Sequence, residues 1–477
     1  MRRTKIVCTI GPATRSASSL AGLLKSGMNI ARLNFSHGTP DEHLEVMNHL
    51  RAAEAEAGCP VGILQDLPGP KIRIGTVRNE PLVLKEGQDV TLVNAASAPG
   101  DTAVIPLPYP KLLKSLQPGN DVFLADGLMH LKITAREGSL VKAKVLHGGQ
   151  LTSHKGVNLP DIDINLRGAL AKDLELFRFG LQHEVDWVAV SFVGSARDAA
   201  PFRKVAKELG SSVRLLAKVE RRQALANIDE ILDAFDGVLV ARGDLGIETP
   251  ISEVPVVQKQ LVQRCNAAGK PVVVATQMLM SMVSSRTPTR AEATDVANAI
   301  MDGADAVMLS EETAIGQYAN RTVAIMDQIA HSAEAYQESL HPESEVLRPS
   351  VSGATESIAA NAAQLARDLS VKAIITCSSS GATARAVSKF RPCSPILAAV
   401  PNLSACRQLN LSWGVRPYSV PEATDIDTLI QNAVDRACQL RLVKEKDWVV
   451  IIAGVRAGVP GNTSLVKYHR IGDSIWG

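Results

Sequence analysis

The sequence predicts an α/β fold: a (β/α)8 TIM barrel with an all-β lid domain inserted after strand 3 and an open α/β domain at the C-terminus. Eight short apolar runs alternate with helix-compatible segments, a stretch of short alternating runs interrupts them after the third, and βα alternation resumes near the C-terminus. Near-continuous apolar strands are typical of a parallel sheet covered by helices. A doubly wound open sheet is the alternative for the first eight runs.

The eight predicted strands recur along the first two thirds of the chain. They occupy residues 5–10, 29–35, 61–67, 187–192, 214–220, 237–242, 271–277 and 306–310. Helix-compatible segments separate nearly all of them, and a last helix near 318–336 completes the barrel. Because one helix-length segment joins 214–220 to 237–242, we expect these two strands to be parallel neighbours.

Residues 71–155 form the predicted insert. Gly-rich turns punctuate its short alternating runs, a pattern typical of a small all-β barrel. The insert occupies the third βα loop, which belongs to the face of the barrel that carries active sites, so we predict a functional lid. The catalytic barrel domain then comprises residues 1–70 and 156–340.

Residues 350–477 form a predicted regulatory domain, which follows a linker at 341–350. Its expected strands lie at 372–377, 396–400 and 448–454, and its expected helices at 353–369, 382–390, 402–411 and 425–441. Renewed βα alternation indicates a separate open α/β domain.

The composition excludes several classes of protein. With 51 basic and 49 acidic residues, the net charge of +2 gives no electrostatic reason to expect nucleic-acid or membrane binding. Seven scattered cysteines without a CxxC pair are expected to be reduced thiols in a cytoplasmic protein. No apolar run approaches the ~20 residues that cross a bilayer, and the start, MRRTKIVCTIGPAT, does not resemble a signal peptide.

Charged side chains end two of the predicted strands. Lys218 and Glu220 close one of them, and Arg242 and Asp244 close the next. Because strand side chains alternate in direction, Lys218 and Glu220 point to the same side. Two carboxylates at one strand end, without paired histidines, predict a Mg²⁺ site, and Lys218 would neutralise charge on a transferring phosphoryl group beside it.

Two more residues favour a small, anionic, phosphorylated substrate. Arg32 offers a bidentate fork for phosphate or carboxylate, and Gly243 lets an anion approach the main chain. Simpler explanations are that polar residues merely end exposed strands, that Lys218 and Glu220 form a surface ion pair, and that Gly243 is a turn glycine.

Longer motifs resemble the pyruvate kinase family. They are KIVCTIGPAT, ARLNFSHG, DLPGPKIR, HKGVNLP, AKVE, VARGDLGIE, VVVATQMLMSM and PTRAEATDVANAIMDGADAVMLSEETAIGQY. The resemblance is dense over residues 1 to about 335 and rests on layout beyond them. It implies phosphoryl transfer from phosphoenolpyruvate to ADP, giving pyruvate and ATP in glycolysis. It also implies a homotetramer and a requirement for Mg²⁺, for which Mn²⁺ can substitute.

The resemblance further implies roles for single residues. Glu220 and Asp244 would ligate Mg²⁺. Lys218 would stabilise the phosphoryl transition state and the enolate oxygen, and Arg32 would bind the phosphoryl group.

The family's remaining substrate contacts also have counterparts. Thr276 would hold the substrate carboxylate together with the backbone of Gly243 and Asp244, and it lies where the family passes a proton to the methylene carbon. Arg73 and Lys155, at either end of the insert, match the family's contacts to the nucleotide phosphates.

One departure from the family pattern concerns potassium. Many members need K⁺, held by groups that match Asn34, Ser36, Asp66 and the carbonyl of Leu67, and they carry Thr and Glu where this chain has Leu67 and Lys71. The ammonium of Lys71 could supply the missing charge, so K⁺ is predicted not to be required. The alternative is that Lys71 points to solvent.

The C-terminal stretch TCSSSGATARAVSKFRP resembles the family's phosphate-binding effector loop, and a second stretch at 454–464 accompanies it. The candidate ligand residues are Ser378, Ser379, Ser380, Thr383 and Arg456. Ala382 stands where Arg is frequent, so we expect a sugar phosphate or nucleotide monophosphate activator that binds unlike fructose-1,6-bisphosphate. A vestigial site is the alternative.

Two further departures are Gly194 in place of Arg and Glu311 in place of Gly or Ala, and neither touches the metal or substrate contacts. Two other functions stay open. A magnesium-dependent lyase or aldolase acting on pyruvate would not need a lid that carries Arg73 and Lys155. A metabolite-sensing scaffold would keep its role after the substitution Glu220→Gln.

Overall fold

The computed structural model describes residues 1–96, 104–160, 162, 167–340, 351–454 and 463–475, with residues 167–169 described by their backbone only. The strands, numbered in chain order, are β1 (Lys5–Thr9), β2 (Ile30–Asn34), β3 (Gly62–Asp66), β4 (Leu82–Leu84), β5 (Asp89–Val93), β6 (Val104–Pro106), β7 (Asp121–Leu124), β8 (Met129–Glu137), β9 (Leu140–His147), β10 (Gly149–Leu151), β11 (Val157–Asn158), β12 (Trp187–Val190), β13 (Arg214–Val219), β14 (Gly237–Ala241), β15 (Val272–Ala275), β16 (Ala306–Leu309), β17 (Ala373–Cys377), β18 (Ile396–Val400), β19 (Val415–Ser419), β20 (Trp448–Gly454) and β21 (Thr463–Arg470).

The α-helices, numbered in the same way, are α1 (Ala17–Ser26), α2 (Pro40–Ala57), α3 (Pro110–Ser115), α4 (Arg167–Gln182), α5 (Ala200–Glu208), α6 (Arg222–Ala226), α7 (Ile228–Ala234), α8 (Arg242–Glu248), α9 (Val254–Ala268), α10 (Arg290–Met301), α11 (Glu311–Ala314), α12 (Ala319–Leu340), α13 (Gly353–Asp368), α14 (Ala382–Lys389), α15 (Leu403–Leu409) and α16 (Ile426–Gln439).

All eight predicted barrel strands form, and they close into a barrel in the order β1-β16-β15-β14-β13-β12-β3-β2. The (β/α)8 prediction is confirmed, and the open-sheet alternative is wrong. β13 and β14 are parallel neighbours as expected, with Lys218 opposite Leu239. Each strand ends one or two residues before the end of its predicted run, because the last residues of the run already belong to the βα loop.

Local sequence signals explain where the barrel helices begin and end. Thr39 and Glu42 form a capping box before α2, and Gly58 ends that helix in the left-handed conformation. One expectation is corrected: the stretch after β13 forms two helices, α6 and α7, rather than one. The break falls at Asn227, whose side-chain amide donates to the carbonyl of Gly194 at 2.8 Å.

The insert is rich in strands, as predicted. Its described strands form a six-stranded sheet in the order β11-β7-β8-β9-β5-β6 and a two-stranded ribbon of β4 and β10, and neither closes into the expected small barrel. The short helix α3 is a second difference from an all-β insert. The two segments that connect the insert to the barrel run side by side, because Arg73 and Gly156 form an antiparallel bridge.

The C-terminal domain is the expected open α/β sheet. Its order is β19-β18-β17-β20-β21, with β21 antiparallel to its neighbour. β19 and β21 were absent from the sequence prediction, since polar residues interrupt both: VRPYS and TSLVKYHR. The predicted linker at 341–350 lies outside the described residues. The boundaries set between the three predicted domains stay predictions.

All seven cysteines are free thiols, as expected. Burial raises the pKa of Cys377 and of Cys406 to about 12, so both stay protonated and unreactive at neutral pH. Within the described part of the chain, no helix is both long and apolar enough to cross a membrane.

The C-terminal domain supplies the floor of the barrel. Leu411 is fully buried in one cluster with the barrel-interior residues Leu64 and Trp187. The Trp187 indole N–H donates to the carbonyl of Gln408 at 3.1 Å. Because Trp187 is the first residue of β12, this contact lies at the amino-terminal end of the barrel, opposite the strand ends that carry functional groups.

We expect Leu411→Ala to lower the free energy of unfolding by about 2–5 kcal/mol, because it leaves a cavity in the closed floor of the barrel. The matched control is Leu403→Ala in α15, whose side chain is 46% exposed and which should change stability by less than about 0.5 kcal/mol. Thermal and denaturant unfolding measure both. Equal effects of the two substitutions would contradict the role given to Leu411.

Candidate active site

Lys218 lies at the centre of the polar groups on the barrel rim. Its ammonium nitrogen is 3.1 Å from Asp66 Oδ1 and 2.9 Å from Glu220 Oε1, and it donates to Ser191 Oγ at 2.7 Å. These partners stand at the ends of β3, β12 and β13, which are adjacent strands, so pairing of these strands brings them together. The ion pair is buried, and the surface-pair explanation of Lys218 and Glu220 is therefore wrong.

Asp66 is shared between two cations. Its second oxygen, Oδ2, accepts from Arg32 Nε at 2.7 Å, and Arg32 Nη1 donates to Thr9 Oγ1 at 2.8 Å. Burial opposes ionisation of Asp66, but Lys218 and Arg32 outweigh it and lower the pKa of this carboxyl. Asp66 thus stays ionised and fixes the two cations side by side.

Burial and neighbouring charges also have opposite effects on the pKa of Lys218. Burial opposes the charge on Lys218, but the carboxylates of Asp66 and Glu220 outweigh it and raise the pKa above its usual value. The residue is therefore a permanent cation rather than a proton donor or acceptor at neutral pH.

Glu220 is a buried carboxyl with a second acidic group nearby. Burial, with a contribution from the negative charge of Asp244, raises the pKa of Glu220 to about 7. Its Oε2 atom accepts from the Phe192 N–H at 2.7 Å, and Phe192 has a positive φ of 56°. Strained backbone of this kind clusters at functional sites.

The donor set fits a hard divalent cation. Glu220 and Asp244 offer only oxygen atoms, which Mg²⁺ prefers, and Asp244 lies half-buried in the first turn of α8. No group of three or more His, Cys, Asp or Glu residues suited to a metal occurs within the described ranges. Two protein carboxylates would thus leave coordination positions for substrate and water, as is usual for this ion.

Thr276 and Gly243 lie together beside the carboxylates. The Gly243 N–H donates to Thr276 Oγ1 at 2.9 Å, and an added Cβ on Gly243 would come no nearer than 3.7 Å to Thr276. Thr276 and Gln277 have positive φ values of 71° and 54°. The strand end therefore turns sharply and presents the Thr276 hydroxyl to the rim.

Arg242 positions this turn, a role that sequence reasoning missed. It donates to the carbonyl of Thr276 and to Asp295 Oδ1, both at 2.7 Å. Its place directly after β14 is the signal in the sequence, but that place alone does not distinguish an anchor from any other charged strand end.

The hinge of the insert is next to these groups. Gly69 has a φ of 69°, and an added Cβ would lie 2.6 Å from the Cβ of Ser191, so the position requires glycine. A cleft between barrel and insert is lined by Lys71, Asp126 and Asp244, among others. Lys71 thus lies in the cleft, close to Gly156 on the returning chain.

The predicted nucleotide contacts lie at this hinge. Arg73 and Lys155 are both exposed, and the Arg73 guanidinium donates to the carbonyl of His154 at 2.8 Å. The Ile74 N–H donates to the carbonyl of Lys155 at 3.0 Å. Both cations are therefore next in sequence to residues that line the cleft, Ile72 and Gly156.

The residues predicted for the monovalent-cation position lie on β2, β3 and the turns after them. Asn34 is half-buried and its side-chain oxygen accepts from the Ser36 N–H at 3.2 Å. The carbonyl of Leu67 accepts from Ser191 Oγ at 2.7 Å.

The predicted effector loop precedes α14. Ser378, Ser379 and Ser380 are half-buried, and the hydroxyl of Ser378 has no hydrogen-bond partner among the described residues. Thr383 is buried and its hydroxyl pairs with that of Thr463 at 2.9 Å, which turns it away from a surface ligand. Arg456 lies outside the described residues.

The two other departures have local structural explanations. A Cβ on Gly194 would lie 2.7 Å from Gln223 Oε1, so a side chain there would require that neighbour to shift. Glu311 is exposed, whereas the adjacent Glu312 is buried and accepts from the backbone N–H groups of Leu279 and Ser310.

Comparison with known proteins agrees with this arrangement. Residues 1–323 match the family model "Pyruvate kinase, barrel domain", and residues 356–469 match "Pyruvate kinase, alpha/beta domain". The chain belongs to the pyruvate kinase family. It is therefore a phosphotransferase, in a family that depends on a divalent metal.

Named relatives of the pyruvate kinase family cover nearly all of the chain. The pyruvate kinase of Sporosarcina psychrophila is 43% identical, over 99% of this chain and 81% of the relative. That of Geobacillus stearothermophilus is also 43% identical, over the same shares. A crystal structure of a pyruvate kinase from Cryptosporidium parvum has a TM-score of 0.90 and 36% identity, over 98% of this chain and 96% of the other.

We expect Arg242→Gln to lower kcat by about 10–100-fold, because the Thr276 turn loses its anchor and small misplacements in an active site are costly. Arg264→Gln is the matched control, since Arg264 pairs with Asp229 on the surface and should leave kcat unchanged. Steady-state kinetics and melting curves distinguish lost positioning from lost folding. Unchanged kcat and KM in a folded Arg242→Gln variant would contradict the positioning role.

Proposed function

We propose that this chain is a pyruvate kinase that transfers a phosphoryl group from phosphoenolpyruvate to ADP, giving pyruvate and ATP in the last step of glycolysis in the cytoplasm. The observation that carries the proposal is the pair of cations, Lys218 and Arg32, held by one buried carboxylate, Asp66. A fixed cation pair at a barrel rim suits a substrate that carries both a phosphoryl group and a developing enolate oxygen.

Each side chain has a distinct task in this proposal. Arg32 binds the phosphoryl group, and Lys218 neutralises the charge that shifts to the enolate oxygen as the phosphoryl group leaves. Thr276, with the main chain of Gly243 and Asp244, holds the substrate carboxylate. The Thr276 hydroxyl would also pass a proton towards the methylene carbon of the enolate.

Glu220 and Asp244 would hold Mg²⁺, or Mn²⁺ in its place. When bound, the cation supplies positive charge and open coordination positions for phosphate and carboxylate oxygens. The raised pKa of Glu220, about 7, is a consequence of burying this carboxyl beside Asp244, and a divalent cation would favour the ionised form.

Arg73 and Lys155 would contact the phosphates of ADP, and closing the insert over them would exclude water. This need for a basic hinge favours phosphoryl transfer to a nucleotide over a lyase or aldolase that acts on pyruvate. A scaffold without turnover would have no use for the cation pair described above.

The deciding assay couples pyruvate formation to a detectable reaction, with phosphoenolpyruvate, ADP and Mg²⁺ as inputs. We expect ADP-dependent turnover, and a loss of about 10³-fold or more in Glu220→Gln, because the variant lacks a metal-binding carboxylate. Glu311→Gln, an exposed neighbour of the rim, is the control that should keep its rate. Absence of ADP-dependent pyruvate formation by the wild-type protein would sink the proposal.

We also propose that activity does not require K⁺. Lys71 is exposed and lines the same cleft as Asp126 and Asp244, where its ammonium would supply the positive charge that K⁺ supplies in relatives. In related enzymes, the groups that match Asn34, Ser36, Asp66 and Leu67 hold the potassium ion.

Turnover should therefore be similar with K⁺, Na⁺ or Tris as the only monovalent cation. Lys71→Glu should lower the rate at least tenfold without K⁺ and regain part of it when K⁺ is added, whereas Lys85→Glu, exposed on the insert, should do neither. Strict dependence of the wild-type rate on K⁺ would contradict the proposal.

We further propose a homotetramer that a phosphorylated metabolite activates. The candidate effector groups are the half-buried Ser378, Ser379 and Ser380 before α14, with Arg456. The hydroxyl of Ser378, which has no partner in the part of the chain that the structure describes, would donate to a phosphate oxygen.

Sugar phosphates and nucleotide monophosphates should be titrated at subsaturating phosphoenolpyruvate, with the mass of the assembly measured in parallel. We expect one of them to lower the KM severalfold and Ser379→Ala to weaken that response, with Ser404→Ala as a surface control. If no compound changes the KM for phosphoenolpyruvate, the site is vestigial.

A further inference from the structure

A cleft between the barrel and the C-terminal domain lies on the face opposite the active site. It is bounded by the connection from α9 to β15 on the barrel side, and by α14 and the turn after it on the other. The enclosed part of the cleft has a volume of only about 20 Å³, and the rest opens to solvent. A ligand would therefore lie at the opening of the cleft.

Positive charge predominates in the lining of this cleft. Lys270 comes from the barrel, and Arg385, Lys389 and Arg391 come from the C-terminal domain, whereas Asp305 is the one carboxylate among the lining residues. Two of the four cations have carboxylate partners: Arg391 lies 3.1 Å from Asp305, and the Lys389 ammonium lies 3.0 Å from Glu356. Their charges are therefore locally balanced.

Lys270 and Arg385 are not balanced in this way. Lys270 Nζ donates to the carbonyl of Phe235 at 2.9 Å, and Arg385 Nη1 donates to the carbonyl of Ser380 at 3.2 Å. Neither cation has a carboxylate within ion-pair distance among the described residues. Asp236, a carboxylate that influences both, already pairs with arginines on the barrel.

The environment also opposes both charges. Burial lowers the pKa of Lys270, and it lowers the pKa of Arg385 to about 9. A cation that is buried without a counter-charge lowers the stability of the interface. A bound anion would remove this penalty.

We propose that this cleft is an anion site, in which a tetrahedral oxyanion, free phosphate or the phosphoryl group of a compact monoester, binds between Lys270 and Arg385 and fastens the C-terminal domain to the barrel. The site is separate from the rim where phosphoryl transfer takes place and from the hydroxyls of the effector loop. The anion site adjoins the effector loop through the hydrogen bond that Arg385 donates to the Ser380 carbonyl.

The first experiment locates the ion. Crystals of the full chain are soaked in selenate, a tetrahedral oxyanion with an anomalous signal. We expect a peak within hydrogen-bond distance of Lys270 and Arg385. Absence of a peak there, at a selenate concentration that fills other anion positions, overturns the proposal, whatever the behaviour of any variant.

The second experiment measures affinity by calorimetric titration with inorganic phosphate and with glycerol phosphate. Lys270→Gln and Arg385→Gln should each raise the dissociation constant of this site at least tenfold, about 1.4 kcal/mol, while Arg436→Gln on the surface of α16 and Ser379→Ala should not. Loss of binding in Ser379→Ala alone would assign the anion to the effector loop and overturn the proposal.

The ratio of the two affinities identifies the source of the anion. Equal affinities indicate that free phosphate suffices, and tenfold tighter binding of the ester indicates an organic ligand. Because Lys270 and Arg385 lie on different domains, failure of one variant to fold leaves the other as a test. Both experiments measure binding, so their outcome does not depend on the proposed catalytic activity.

Discussion

One buried carboxylate, Asp66, organises the rim of the barrel. It holds Arg32 on one side and Lys218 on the other, so two cations lie together that would otherwise repel each other. Two fixed cations side by side are the electrostatic condition for binding a phosphorylated substrate. The arrangement depends on strand order, because β12 alone lies between β13 and the adjacent pair of β3 and β2.

The start of the insert and the strained strand ends lie beside the same group of residues around Lys218. Ser191 links Lys218 to the carbonyl of Leu67, and Gly69 packs against Ser191 where the chain leaves for the insert. Phe192 and Thr276 adopt left-handed backbone conformations beside the same groups. The connection between insert and barrel thus shares its contacts with the central lysine.

Sequence reasoning found the barrel and the charged strand ends, because both depend on local patterns. Apolar runs of the right length mark buried parallel strands, and alternation of side chains placed Lys218 beside Glu220. The break between α6 and α7, the bridging position of Asp66 and the anchor role of Arg242 depend on contacts between distant segments, which no local pattern encodes. β19 and β21 escaped prediction because tertiary pairing stabilises strands that are too polar to be recognised alone.

Leu411, the residue that seals the barrel floor, has a consequence for how the protein is made. A ribosome completes all eight barrel strands well before it reaches this residue, so the nascent barrel stays open at its base during much of translation. Apolar side chains such as Leu64 and Trp187 would face water or a chaperone in that interval. A gene truncated after the barrel would leave this surface uncovered permanently and yield an aggregation-prone product.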